Sequence, residues 1–296
     1  MSFSASTTPS IQRLASAFTL LALTSSTIAT TGILLPLYVY PGADASNWSP
    51  ALDAIQSHAA VPWLVVANPD SGPGGNPASP DTNYIAGIQA LTSHANARVL
   101  GYVHTGYGGA PLEALKANVS AWAGFASGVS GAEDVEVQGI FFDESSPAAG
   151  ADAAYLAEAI GYARAAFADD IVAVCNFGAR VQDAAAYYGQ GMCDVAVAFE
   201  SCLGSGDCGG APAYGDEATL AAEVPGRYAA QSAVLVHDFT GSAADGSAAD
   251  VSLLQRYVTT AKAYGLGWLY FGSGGYDSLT TAPATVGELA DVMAVA

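Results

Sequence analysis

Val137 to Glu144 reads VQGIFFDE. Val137–Phe142 is mostly apolar and dense in β-branched and aromatic side chains, which predicts a buried strand, and it runs straight into two carboxylates, Asp143 and Glu144. A parallel strand covered by helices on both faces has no place for acids in its middle. Its C-terminal end, in contrast, is where α/β enzymes assemble their sites. Capping of the next helix is the competing explanation for the pair, but Ser145, Ser146 and Asp152 can serve as caps without them.

The same unit recurs on both sides of this strand. Ile33–Tyr40, Trp63–Asn68, Arg98–His104, Val137–Phe142, Ile171–Asn176, Val195–Phe199, Ala233–His237 and Gly267–Phe271 read as strands. Between and after them, helical spacing of apolar residues predicts helices over Trp48–His58, Asn83–Ser93, Pro111–Phe125, Asp152–Phe167, Val181–Gln190, Thr219–Ala230, Val251–Tyr264 and Val286–Val295. Eight strands alternating with eight helices is the count of a (β/α)8 TIM barrel, and right-handed helical crossovers make the strands parallel. An open doubly wound sheet shares the local pattern, but Pro41–Ser46, PGADAS, is no dinucleotide fingerprint. A chain of 296 residues accommodates one such barrel, expected over residues 30–296.

In a barrel the C-terminal strand ends share one face, so the residues found there belong to one site. Here they are Tyr40, Asn68, His104, Asp143 with Glu144, Asn176, Glu200, His237 with Asp238, and Tyr270. Amides, imidazoles and three carboxylates at these positions, in a chain that is 51% hydrophobic, are candidates for chemistry. Tyr38, Tyr40, Tyr102, Tyr107 and Tyr270 are candidates for stacking on the flat face of a ligand, with core packing as the alternative for each.

A net charge of −19 with eight Lys and Arg argues against a nucleic acid or anionic membrane partner, while a cationic partner is permitted. Arg13, the apolar run Leu14–Leu23 and the small residues Thr27 and Ala29 predict a signal peptide over residues 1–29, and hence a secreted protein of the extracellular space or cell wall, expected as a monomer. After secretion the four cysteines can pair. Cys202 with Cys208 is the expected bridge across a Gly-rich loop, whereas Cys175 and Cys193 are expected to lie too far apart. The cysteine spacings and the scattered histidines predict no metal site. HExxH, GxGxxG and GxxxxGK[ST] are absent, so no cofactor is expected.

PLYVYPG at Pro36–Gly42, NPDSGPG at Asn68–Gly74, LGYVHTGYG at Leu100–Gly108, GIFFDE at Gly139–Glu144 and VAFE at Val197–Glu200 together resemble the spherulin 4, or spherulation-specific, family, glycoside hydrolase family 135. The resemblance runs from Ile33 to Phe271. It implies a secreted microbial (β/α)8 hydrolase similar to endo-acting enzymes that cut α-1,4-linked N-acetylgalactosamine in galactosaminogalactan, with the family's acids falling on Asp143, Glu144 and Glu200. NFG at Asn176–Gly178 and the SCLGSGDCGG loop after strand six depart from the family pattern.

Glycoside hydrolysis needs two carboxyl groups on opposite sides of the scissile bond. Neighbours on one strand point to opposite faces, so Asp143 and Glu144 are not expected to share that work. Asp143 as nucleophile and Glu200 as acid/base, about 5 to 5.5 Å apart, is the expected pairing. Glu144 is expected to hold the site's electrostatics or a sugar hydroxyl, and the substrate-assisted alternative makes it the acid with Asp143 orienting an acetamido group. Asn68, His104, Asn176 and His237 complete the expected sugar-binding set. A non-catalytic carbohydrate-binding or wall protein on the same barrel is the competing function.

Overall fold

The computed structural model describes residue 1 and residues 30–75, 81–125, 135–189, 192–204, 208, 211–274 and 285–296. The expected signal peptide therefore lies outside the described residues, apart from Met1. Eight strands, β1 (Gly32–Leu37), β2 (Trp63–Ala67), β3 (Ala97–His104), β4 (Gly139–Asp143), β5 (Val172–Asn176), β6 (Val195–Cys202), β7 (Ser232–His237) and β8 (Trp268–Phe271), close into one barrel in sequence order. Every neighbouring pair is parallel, and Gly32 and Ile33 of β1 close the ring against Trp268 and Leu269 of β8.

The helices are α1 (Ser49–Ser57), α2 (Thr82–Thr92), α3 (Leu112–Ala123), α4 (Ala151–Ala166), α5 (Ala184–Tyr188), α6 (Glu217–Glu223), α7 (Val251–Tyr264) and α8 (Thr285–Val295). Each connects one strand to the next, or follows the last, as in the TIM barrel that the alternation predicts. The strands are buried almost throughout because both barrel interior and helix layer cover them, which is why they read as continuous apolar runs. Close packing has specific requirements. A Cβ at Gly101 of β3 would fall on the indole of Trp122 in α3, whose Nε1 instead donates to the Tyr102 carbonyl at 2.8 Å. That fixes the helix against the strand that carries Tyr102 and His104.

Four boundaries differ from the sequence expectation for identifiable reasons. β1 stops at Leu37, so Tyr38 and Tyr40 lie in the loop beyond it, ahead of left-handed Asp44 and Ala45. α5 is one short turn capped by Asp183. The helix expected over Thr219–Ala230 is cut at Pro225, which has no N–H and disfavours a helical Val224 before it, so a 3-10 turn, Gly226–Gln231, takes over. β6 extends through Cys202, with a register shift between Val197 and Phe199 along β7, so Glu200 is held within the strand.

The cysteines require a correction. Cys202 and Cys208 are linked, with Cα atoms 5.3 Å apart, but Cys175 and Cys193 are linked too, at 5.8 Å. The distance anticipated between them vanishes because Cys193 comes just before β6, which pairs directly with the β5 strand that carries Cys175.

Candidate active site

The register of β3 and β4 places His104 opposite Asp143 at the C-terminal rim, so the histidine and carboxylates converge there. Asp143, Glu144, Asn176, Glu200 and Tyr107, together with Phe177 and Gly178, line a cleft of about 310 Å³.

Asn176, the last residue of β5, organises the acids. Its Nδ2 donates to Asp143 Oδ1 at 2.7 Å and to Glu200 Oε2 at 2.6 Å. Bonds of 2.7 and 2.6 Å from one nitrogen hold those two oxygens at most about 5.3 Å apart. The amide cannot turn over without loss, because its Oδ1 accepts from the Gly178 N–H at 3.0 Å. Gly178 reaches that position with φ +61°, a left-handed conformation that glycine adopts without strain.

The second oxygen of Asp143 accepts from the Tyr102 hydroxyl at 2.6 Å. Each Asp143 oxygen thus takes a hydrogen bond, the arrangement of an ionised carboxylate. Burial, followed by the charges of Asp143, Glu144 and Glu200, pushes the Tyr102 phenol well above its ordinary range, so it remains a donor. Tyr107, 61% exposed, is raised by a little burial and by the same three acids.

Glu144 departs from strand alternation. It follows the end of β4 with φ +52°, and this left-handed turn brings its carboxylate into the cleft beside Asp143. The expectation that the two adjacent acids face apart is therefore corrected, because alternation holds only within the strand. The turn is held by two bonds to the Glu144 carbonyl, from the Tyr107 N–H at 2.7 Å and the Thr105 hydroxyl at 2.6 Å. Its side chain accepts from His104 Nε2 at 2.8 Å when that nitrogen carries hydrogen.

The other candidates divide. Tyr38 packs edge-on against Tyr102, with ring centroids 5.7 Å apart. Asn68 accepts from the Gly72 N–H and shapes its own loop, and His237 Nδ1 pairs with Asp238 at 2.6 Å, so neither lines the cleft. Tyr270 is 1% exposed, which corrects its assignment as a stacking surface: it is barrel core. Tyr102, at 5%, likewise offers its hydroxyl and not its face. Sequence reasoning missed Phe177, Gly178 and Thr105. The NFG run after β5 was a visible signal for the first two, whereas Thr105 acts through a backbone contact that leaves no motif. Among the described residues, no group of three or more His, Cys, Asp or Glu side chains is placed to hold a metal ion.

Residues 32–293 match the spherulation-specific family 4 profile. The chain belongs to that family. Among curated relatives, Spherulin-4 of Physarum polycephalum is 34% identical over 117 residues, 40% of this chain and 30% of that protein, so the match spans less than a third of the relative's length. Among solved structures, Aspergillus clavatus Sph3 in complex with GalNAc superimposes with a TM-score of 0.72 at 26% identity, over 90% of this chain and 98% of Sph3. The acid cleft of this family 4 chain thus stands on a barrel shared with a protein that binds N-acetylgalactosamine.

Proposed function

We propose that the chain is a secreted glycoside hydrolase, endo-acting on α-1,4-linked N-acetylgalactosamine in a galactosaminogalactan-like exopolysaccharide. The single observation that carries this reading is the Asn176 amide, which bridges Asp143 and Glu200 and keeps their facing oxygens within about 5.3 Å. Two carboxyl groups about 5 to 5.5 Å apart are the spacing of a retaining glycosidase, with no room for a water between nucleophile and sugar. The likeness to Sph3, solved with GalNAc, supports the sugar. Two disulfides support folding in an oxidising compartment.

In this reading Asp143 attacks the anomeric carbon while Glu200 gives its proton to the departing glycosidic oxygen. A glycosyl ester on Asp143 results. Glu200, now ionised, takes a proton from water, and the hydroxide character so generated displaces Asp143 and regenerates both groups.

The left-handed turn at Glu144 favours one further reading, in which Glu144 is the acid and Asp143 orients the substrate's own acetamido group for attack. The first experiment separates function classes. The secreted protein is incubated separately with α-1,4-linked N-acetylgalactosamine polymer, chitin and α-galactan, and the products are sized. Shortening of the first alone is the expected result; binding without shortening would instead identify a carbohydrate-binding protein.

A further inference from the structure

We propose that Tyr40 is a second sugar-binding platform, a distal subsite on the rim over β1 and β2 that binds the polysaccharide away from the cleavage point. The proposal rests on the polysaccharide reading above and extends it to chain length. Tyr40 follows β1, and its partners Asp81 and Asn83 sit at the start of α2. The acids stand on β4 and β6, with Asn176 between them on β5, half a turn of the barrel from β1. Tyr40 does not line their cleft.

The ring is fixed and its face is available. The Tyr40 hydroxyl donates to the Asp81 carboxylate, 3.1 Å to Oδ2, and accepts from Asn83 Nδ2 at 2.6 Å. Asp81 is itself anchored, as it caps α2 by accepting from the N–H groups of Asn83 and Tyr84. One side of the ring packs edge-on against Tyr84, at 5.6 Å between centroids, and Tyr84 packs on Trp48 at 5.9 Å. With the hydroxyl committed at both ends, what remains for a ligand is the ring face, since Tyr40 is still 46% exposed. A loop staple would explain the hydrogen bonds but not an uncovered aromatic surface held in a single orientation. An aromatic ring immobilised in advance binds an apolar sugar face at little entropic cost.

The position is selective. Three aromatic side chains are prominently exposed among the described residues: Tyr40, Tyr107 and Tyr162. Tyr162 lies on the outer face of α4, with its hydroxyl bonded to Ser120 and Lys116 over its ring. The other two stand on the C-terminal face, Tyr107 in the cleft and Tyr40 across from the acids. Between them, Tyr38 packs edge-on against Tyr102, whose hydroxyl reaches Asp143. An extended polysaccharide running along this face from the cleft can reach Tyr40, and a disaccharide seated between the acids is expected to be too short to do so.

The test measures binding, so it stands whether or not the protein cleaves. Affinities for α-1,4-linked N-acetylgalactosamine polymer and for its disaccharide are compared in wild type, Tyr40→Ala and Tyr40→Phe, all in an Asp143→Asn background that blocks turnover. The ratio of polymer to disaccharide affinity is expected to fall about three- to tenfold in Tyr40→Ala, the range of one aromatic contact, and by less in Tyr40→Phe, which keeps the ring. Hydroxyl-radical footprinting of the unsubstituted protein is the parallel measurement that needs no variant at this position: polymer protects Tyr40 and the disaccharide does not. An unchanged ratio, or equal protection by both ligands, overturns the subsite. A reduced ratio in a protein that never shortens the polymer keeps the subsite and removes the hydrolase.

Discussion

Tyr102 donates its hydroxyl hydrogen to Asp143 Oδ2 across 2.6 Å, so a buried phenol holds a carboxylate that lines the cleft. A hydrogen bond to a charged group contributes about 1.5–3 kcal/mol, so Tyr102→Phe is expected to lower kcat roughly tenfold to a hundredfold through misplacement of Asp143. KM should change much less, since the phenol offers no surface to substrate. Steady-state kinetics on the N-acetylgalactosamine polymer checks this; a rise in KM at constant kcat would make Tyr102 a binding residue instead.

Asn176 gives a sharper contrast, because one substitution removes its amide and the other replaces it with a carboxyl group of the same shape. Asn176→Ala removes both donors and frees the two acids to move. Asn176→Asp keeps the shape, removes the donors and adds a fourth carboxyl group. Both are expected to cost at least about a hundredfold in kcat, with Asp the worse of the two. Equal and small losses would mean that the carboxyl spacing is set elsewhere.

The barrel's tyrosines make alkaline pH the direction of instability. Burial raises Tyr102, Tyr214 and Tyr270 well above the ordinary phenol value, and raises Tyr84 to about 12. Folded protein therefore holds phenolic protons that the unfolded chain releases from its ordinary value of 10.0 upward. The associated stability is complete below that pH and is lost as pH climbs through the folded values. Denaturant midpoints measured in steps from about one pH unit below this onset to about two above it should fall steadily, and a flat profile would contradict the burial of these hydroxyls.

The two disulfides should differ in their contribution to stability. Cys175 and Cys193 are 18 residues apart, Cys202 and Cys208 only 6. Loop-closure entropy assigns about 3 kcal/mol to the longer and about 2 kcal/mol to the shorter. Replacing Cys175 and Cys193 together should also disturb the site, because Asn176 is the next residue after Cys175. Paired Cys→Ala variants compared by denaturant unfolding and by kcat check both statements; a larger stability loss with the shorter bridge would reverse the ranking, and kcat unchanged without the longer one would contradict its link to the site.

Most of the barrel was legible because period and count survive translation into structure: eight apolar runs, each closed by a polar or aromatic residue and followed by a helix, match the barrel's count, and the absent dinucleotide fingerprint set the open sheet aside. What escaped were consequences of local backbone geometry. Glu144 turns beside Asp143 because a left-handed residue follows the strand, and no side-chain pattern records that turn. The Cys175–Cys193 link depends on lateral pairing of β5 with β6, which separation along the chain conceals. Tyr270 reads as a rim residue by position and is core by packing, since a tyrosine serves either environment. Pro225, in contrast, was a readable break in a helix expected to continue.

The most direct test is the time course of depolymerisation of α-1,4-linked N-acetylgalactosamine polymer by wild type, Asp143→Asn, Glu200→Gln and Glu144→Gln, with polymer binding measured alongside. Loss of a general acid costs about 10²- to 10⁴-fold, and loss of a nucleophile at least as much. Wild type is therefore expected to shorten the polymer, while Asp143→Asn and Glu200→Gln bind it and leave its length unchanged. Glu144→Gln inactive beside an active Asp143→Asn would transfer the acid role to Glu144, and a wild type that binds without ever shortening the polymer would contradict the account.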